Sequence, residues 1–233
     1  MKTDHIKLDN PLGYSLQEAH QNKALKLEGL TFYDPNFCPF GASEVTQLNT
    51  RALLAYHKLC GPFFLIGEKP IGDAKAIKCK ELVCDQMVLP SRIDFTNDLE
   101  EEIVLLEQPE QRKALFALVN LVQPGYFKKR TAELGKYFGI YKDHQLVAVC
   151  GERMKMNGYT EISAIVTHPD HLRKGYAKQL IIKTTHQVFD EGKIPYLHVV
   201  ETNSSAIQLY KKLGFYRRRK ISFWEFEGLK ASL

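Results

Sequence analysis

Between Glu161 and Phe215 the chain carries residue types suited to holding a phosphate and moving protons. Leu172-Arg173-Lys174-Gly175-Tyr176-Ala177 forms a basic, glycine-containing turn after His168-Pro169 and leads into an amphipathic stretch. The first N–H groups of a helix lack intrahelical partners, and the helix dipole places partial positive charge there. A turn feeding that end is an anion site, and Gly175 with Ala177 lets the backbone approach a phosphate closely. Taken alone, the turn reads equally well as an ordinary strand-to-helix loop. It contains neither G-x-G-x-x-G nor G-x-x-x-x-G-K-[ST], so Rossmann and Walker phosphate binding are excluded.

Further on, Asn203, Ala206 and Tyr210 fall at spacings of three and four, which puts them on one helix face. Asn203 is a good N-cap after a strand. Small Ala206 leaves room on that face, and Tyr210 projects its hydroxyl along it. The structural alternative is a tyrosine packed under a sheet. His168, Asp170 and His171 invite a metal reading, but Pro169 breaks the helical spacing and the turn explains the loop better, so no metal is expected. Five cysteines at wide spacing (Cys38, Cys60, Cys79, Cys84, Cys150) argue against a disulfide framework and for a reducing, cytoplasmic compartment.

The two units together resemble the GNAT superfamily of acyl-CoA-dependent N-acyltransferases. The family turn [QR]-x-x-G-x-[GA] is matched from Arg173 to Ala177, with Leu172 standing where Gln or Arg is usual. The later element N-x-x-A-x-x-x-Y-x-x-x-G-F is matched at Asn203, Ala206, Tyr210, Gly214 and Phe215. The resemblance covers roughly Ile103–Phe226. It implies acetyl-CoA as acyl donor, with the pyrophosphate on the amides of Arg173, Lys174, Gly175, Tyr176 and Ala177. The pantetheine arm would pair with Ile165, Val166 and Thr167, and Asn203 and Ala206 would also contribute to the cofactor site. Tyr210 corresponds to the family's proton donor to sulfur. Glu161 lies fourteen residues before Gly175, the offset of the catalytic glutamate in the family's histone acetyltransferases, and is the first candidate base. Glu201, His168 or a water chain are the reserves. No cysteine falls on a motif position, so direct attack by the amine is expected.

These residues need elements to hold them. Glu161–Thr167 and Pro195–Glu201 read as strands, and Gly175–Glu191 and Asn203–Leu213 as helices. Ala177, Leu180, Ile181, Thr184 and Val188 make the buried stripe of the first helix. Ile103–Leu106 reads as a strand, Pro109–Val122 as a helix, and Lys136–Tyr141 with Gln145–Met154 as two strands around a turn at Lys142-Asp143-His144. Phe215–Arg218 and Ile221–Phe226 read as a closing hairpin whose Arg217–Lys220 run protects an edge. In the first half, Leu16–Leu27 and Glu44–Leu59 have helical spacing, the latter with Ser43 as N-cap, and Phe63–Gly67 and Lys80–Leu89 read as strands. Pro90 and the polar Ser91–Glu102 stretch mark a boundary between segments 1–100 and 101–233.

The expected architecture is α/β with a mixed sheet: a GNAT-like C-terminal half joined to an N-terminal α/β half, which reads as a degenerate copy or as an unrelated domain. The 233 residues are 44% hydrophobic and 25% charged with net charge +5, ordinary values for a globular chain. No apolar run approaches the ~20 residues of a membrane helix, and the first residues lack an apolar signal core. No nucleic-acid-binding signature accompanies the positive charge. The expected activity is acetyl transfer to a primary amine whose identity the sequence leaves open, as it does the oligomeric state. The alternative is a CoA-binding sensor without turnover.

Overall fold

A computed structural model describes residues 5–43, 50–67, 77–92 and 100–229. The strands of the described residues form one eleven-stranded mixed sheet. They are β1 (Ala24–Leu27), β2 (Leu30–Tyr33), β3 (Phe40–Ser43), β4 (Phe63–Ile66), β5 (Ile77–Val88), β6 (Val104–Leu105), β7 (Tyr137–Lys142), β8 (Gln145–Met156), β9 (Tyr159–Thr167), β10 (Ile194–Val200) and β11 (Tyr216–Leu229). The helices are α1 (Pro11–Gln17), α2 (Thr50–Cys60), α3 (Pro109–Val122), α4 (Tyr176–Asp190) and α5 (Ser204–Lys212).

The strand order is β1-β2-β3-β4-β11-β5-β10-β9-β8-β7-β6. It is nearly palindromic about the central pair. In the first half, β1, β2 and β3 pair antiparallel in sequence and β3 pairs parallel with β4. In the second half, β7, β8 and β9 pair antiparallel in sequence and β9 pairs parallel with β10. Each parallel pair is bridged by a helix, α2 or α4. The last strands are then exchanged: β4 pairs with β11 and β10 with β5, while β5 and β11 pair with each other. The topology is that of a duplicated unit in which each half ends on the other's strand. The segments 1–100 and 101–233 share this one sheet, and β5 of the first is flanked by two strands of the second.

Local sequence explains much of this. Asp143 and His144 both have positive φ (48° and 64°), the two-residue turn that matches strand twist between β7 and β8. Pro109 opens α3, where the Gln111 side chain reaches back to accept from the Gln108 N–H at 2.9 Å. Asn203 caps α5, its side-chain oxygen accepting from the Ala206 N–H at 3.2 Å, as its position predicts. Leu180 and Ile181 of α4 are buried against Met87, Phe138, Ile162 and Leu197 of the sheet.

Three expected elements differ. The helix expected over Leu16–Leu27 ends at Gln17, and Ala24–Tyr33 is instead a hairpin. Glu28 and Gly29 take positive φ (43° and 87°), and this tight turn lets Leu30 and Phe32 alternate into the core. Ser43 ends β3 rather than capping a helix; the first residues of the expected Glu44–Leu59 helix lie outside the described residues, and α2 is seen from Thr50. The closing hairpin is one strand, β11. A bulge between Arg217 and Arg219 absorbs the polar run, and β5 supplies a partner along the whole length. The Arg217–Lys220 run pairs with β5 on one side and lies beyond the reach of β4 on the other; Arg218 and Arg219 pair with Asp9, and Lys220 with Glu201. Most of the proposed boundary stretch, residues 93–99, lies outside the described residues.

Candidate active site

The site begins where two parallel strands stop pairing. β9 and β10 are in register only at Tyr159–Ile194, Thr160–Pro195 and Glu161–Tyr196. Past that point β10 is held on its other side by β5, with His198 opposite Gln86 and Val200 opposite Cys84. β9 is held by β8 through a bulge: Val166 faces Val149 and Ser163 faces Gly151, so Ala164 and Ile165 stand against Cys150 alone. Ala164 sits at φ 50°, a conformation that needs support from its surroundings. Bulges bend strands and re-aim side chains. Here the bend carries β9 away from β10 and leaves its facing backbone edge without a strand partner among the described residues.

A cavity of about 480 Å³ occupies the gap. Ala164 and Ile165 of β9, Val199 and Val200 of β10, and Ala177 of α4 wall one end. Asn203, Ala206 and Tyr210 of α5 complete that end. The sequence placed these last three on one helix face, and that face is the one turned to the cavity. The other end runs under the first half of the chain, against Phe40 of β3, Phe64 of β4, Cys84 of β5 and Phe223 of β11.

The remaining expected residues stand around this cavity. Arg173, Lys174 and Gly175 form an exposed turn at the start of α4, with Arg173 and Gly175 both left-handed (φ 61° and 78°). A Cβ on Gly175 would meet no atom within 4 Å, so the space above the turn is open. The Tyr176 ring is buried beneath the helix, which leaves only its backbone for a ligand. Val166 turns its side chain into the core beside α3, and Thr167 is half-buried at the strand end.

Tyr210 is buried, and burial, with Cys150 nearby, pushes its phenol well above the ordinary range. It therefore stays protonated at neutral pH and is available as a donor.

Glu161 lies behind the wall, with its side chain 1% exposed. Arg153 grips it through two bonds, Nε donating at 2.8 Å and Nη2 at 2.7 Å. His198 Nδ1 approaches the same carboxylate at 2.8 Å. Burial alone would raise its pKa, but Arg153 and His198 outweigh that and hold it at about 2. Glu161 is thus a fixed anion with both oxygens engaged. His198 is itself pinned, since its Nε2 lies 3.1 Å from the Gln86 amide nitrogen, which also donates to the Leu8 carbonyl at 2.7 Å. The reserves lie elsewhere: Glu201 is exposed and paired with Lys220, and His168 Nδ1 accepts from the Asp170 N–H at 3.3 Å. Among the described residues no group of His, Cys, Asp and Glu gathers as a metal site, and no helix is long and apolar enough to cross a membrane.

Arg153 and His198 both line the cavity and were missed from the sequence. A partial signal was present: Glu161 is the one charge in the strand Tyr159–Thr167, and Arg153 lies on the strand joined to it by a hairpin. Such a pair is buried only if each neutralises the other.

Residues 137–224 match the FR47-like protein family. No curated protein matches the chain significantly. Among solved structures, a protein described as a GNAT-family acetyltransferase from Novosphingobium aromaticivorans superposes with a TM-score of 0.79 at 26% identity, over 96% of this chain and 99% of its own. A GCN5-related N-acetyltransferase-like protein from Streptococcus suis gives 0.66 at 14% identity, over 95% and 96% of the two chains. A tandem GNAT protein from the clavulanic acid biosynthesis pathway gives 0.54 at 14%, over 87% and 79%. The chain has the fold of GNAT-family acetyltransferases, and its 137–224 segment is similar to the FR47-like protein family.

Proposed function

We propose that this protein transfers an acetyl group from acetyl-CoA to a primary amine. The observation that carries this reading is the parting of β9 and β10 after Glu161, with a cavity in the gap and Tyr210 on its wall. Unpaired backbone is costly unless filled. An extended chain of amides is a natural occupant, and the edge of β9 at Ile165, Val166 and Thr167 would pair with it as an added strand. The diphosphate falls to the turn, where the amides from Arg173 to Ala177, the start of α4 and the charges of Arg173 and Lys174 converge.

When bound, acetyl-CoA supplies an activated thioester carbonyl. The amine nitrogen attacks that carbon directly, a C–N bond forms and the C–S bond breaks. Tyr210 gives the departing sulfur its proton, and the proton lost by the nitrogen leaves through water. A covalent route through the protein is disfavoured: Cys84 is the cysteine lining the cavity among the described residues, and burial pushes its thiol up to about 12. It holds its proton at neutral pH and is a poor nucleophile. Glu161 contributes as a fixed anion that keeps Arg153 and His198 in the cavity wall, and water serves as proton acceptor. The five free cysteines suit a reducing, cytoplasmic setting.

The test is release of free CoA thiol from acetyl-CoA across a panel of amines. Amine-dependent release is expected. Acetyl-CoA binding with no amine-dependent release would replace the transferase by a CoA sensor.

A further inference from the structure

The far end of the cavity is walled by rings. Phe40 lies 5.5 Å from Phe64, 6.3 Å from Tyr126 and 6.2 Å from Phe223, centroid to centroid, and Phe64 lies 5.2 Å from Tyr126. All four line the cavity. They come from β3, β4, β11 and the segment after α3, so the exchanged strand and the first half build this end. Arg153 lines the cavity, its guanidinium 4.6 Å from the Phe40 ring centroid. Of the carboxylates near these walls, Glu161 already has both oxygens engaged, and Glu225 of β11 lies close enough to Tyr126 to help raise its phenol pKa.

From these walls we infer that the acceptor is an amine with an aromatic body. The inference rests on the acetyltransferase reading and names its substrate class. A flat ring meets aromatic walls edge-to-face or offset-stacked, with more contact than an aliphatic chain of equal length.

The experiment compares 2-phenylethylamine, butylamine and spermidine by thiol release from acetyl-CoA. The expected kcat/KM for the aryl amine exceeds that for butylamine and that for spermidine at least ~10-fold, the range an apolar pocket supplies. Tyr126 tests the wall directly, since it is 37% exposed and its loss leaves the core intact. Tyr126→Ala is expected to raise KM for 2-phenylethylamine about 10-fold with kcat and acetyl-CoA affinity unchanged, and Tyr126→Phe to behave as wild type. Spermidine used as well as the aryl amine, or an unchanged KM in Tyr126→Ala, overturns the assignment. Calorimetric binding of the same amines to the CoA-saturated protein separates the two readings. Selective aryl-amine binding without thiol release keeps the substrate class and removes the transferase, and binding without selectivity removes the class.

Discussion

The family resemblance implies acid–base roles for both Tyr210 and Glu161, and their surroundings differ. Tyr210 faces the cavity with a pKa raised by burial. Tyr210→Phe keeps the ring and deletes the hydroxyl. Turnover should fall ~10²–10⁴-fold, the usual worth of acid–base catalysis, while stability moves by about 1 kcal/mol or less. Steady-state rates beside the melting temperature decide it: a large melting shift with a proportionate activity loss would make Tyr210 a core residue only. Glu161 is anchored by Arg153, and its folded pKa of about 2 lies below the ordinary value. A depressed carboxylate pKa adds stability above the unfolded pKa and loses it as pH falls toward the folded one. The Glu161 contribution, about 3 kcal/mol, should therefore be whole at neutral pH and drain away between about pH 4 and 2. Glu161→Gln should cost ~3–5 kcal/mol near pH 7, because it leaves Arg153 buried without its partner. The mutant should also flatten the acid limb of the stability curve without moving the pH profile of kcat/KM. A lost limb in that kinetic profile would restore Glu161 as the base.

At the scale of elements, the turn before α4 is the part most legible in the sequence. Gly175 stands there in a left-handed conformation, with open space where a side chain would go. Gly175→Val places a β-branched residue at positive φ, at a cost of about 1–2 kcal/mol, and fills the ground a diphosphate would take. CoA affinity by calorimetry should fall at least ~10-fold, about 1.4 kcal/mol, with the fold retained. Equal affinity in two folded proteins would remove the turn from the site. The helices of the second half were legible because each carries a stop or start signal, such as Asn203 or Pro109, beside a clear apolar stripe. The β1–β2 hairpin was not, because the leucines of Leu16–Leu27 read as one helical run that carries through Ala24–Leu27 when the turn at Glu28-Gly29 is overlooked. β11 was misread for a related reason: four consecutive basic residues look like a loop until Asp9, Gln86 and Glu201 are there to receive them.

For the whole molecule, the exchange of β5 and β11 has a thermodynamic consequence. β5 lies between β10 and β11, and β11 between β4 and β5, so cutting the chain near residue 100 exposes two long strand edges on each side. Separately expressed 1–100 and 101–233 should therefore fail to fold as monomers, whereas the full chain should melt in one cooperative transition. Circular dichroism and calorimetry check both, and an independently folded 101–233 with a sharp melt would show that the exchange is dispensable. The exchange also places Phe40, Phe64 and Phe223 opposite Tyr210 across one cavity, which makes the first half a wall of the site.

By itself the sequence determined the turn that opens α4, the cap and face of α5, and the α/β alternation of the second half. These depend on neighbours within about a dozen residues, where dihedral preference and helical period act directly. Only the tertiary structure decided the parting of β9 and β10, the contact of His198 with Glu161, and the aromatic chamber. Each joins residues distant in sequence: His198 lies 37 positions from Glu161, and Phe223 pairs across the sheet with Ile66 and Leu82. Burial beside Arg153 and His198 then holds the Glu161 carboxylate as an anion, a state its sequence neighbours alone do not set.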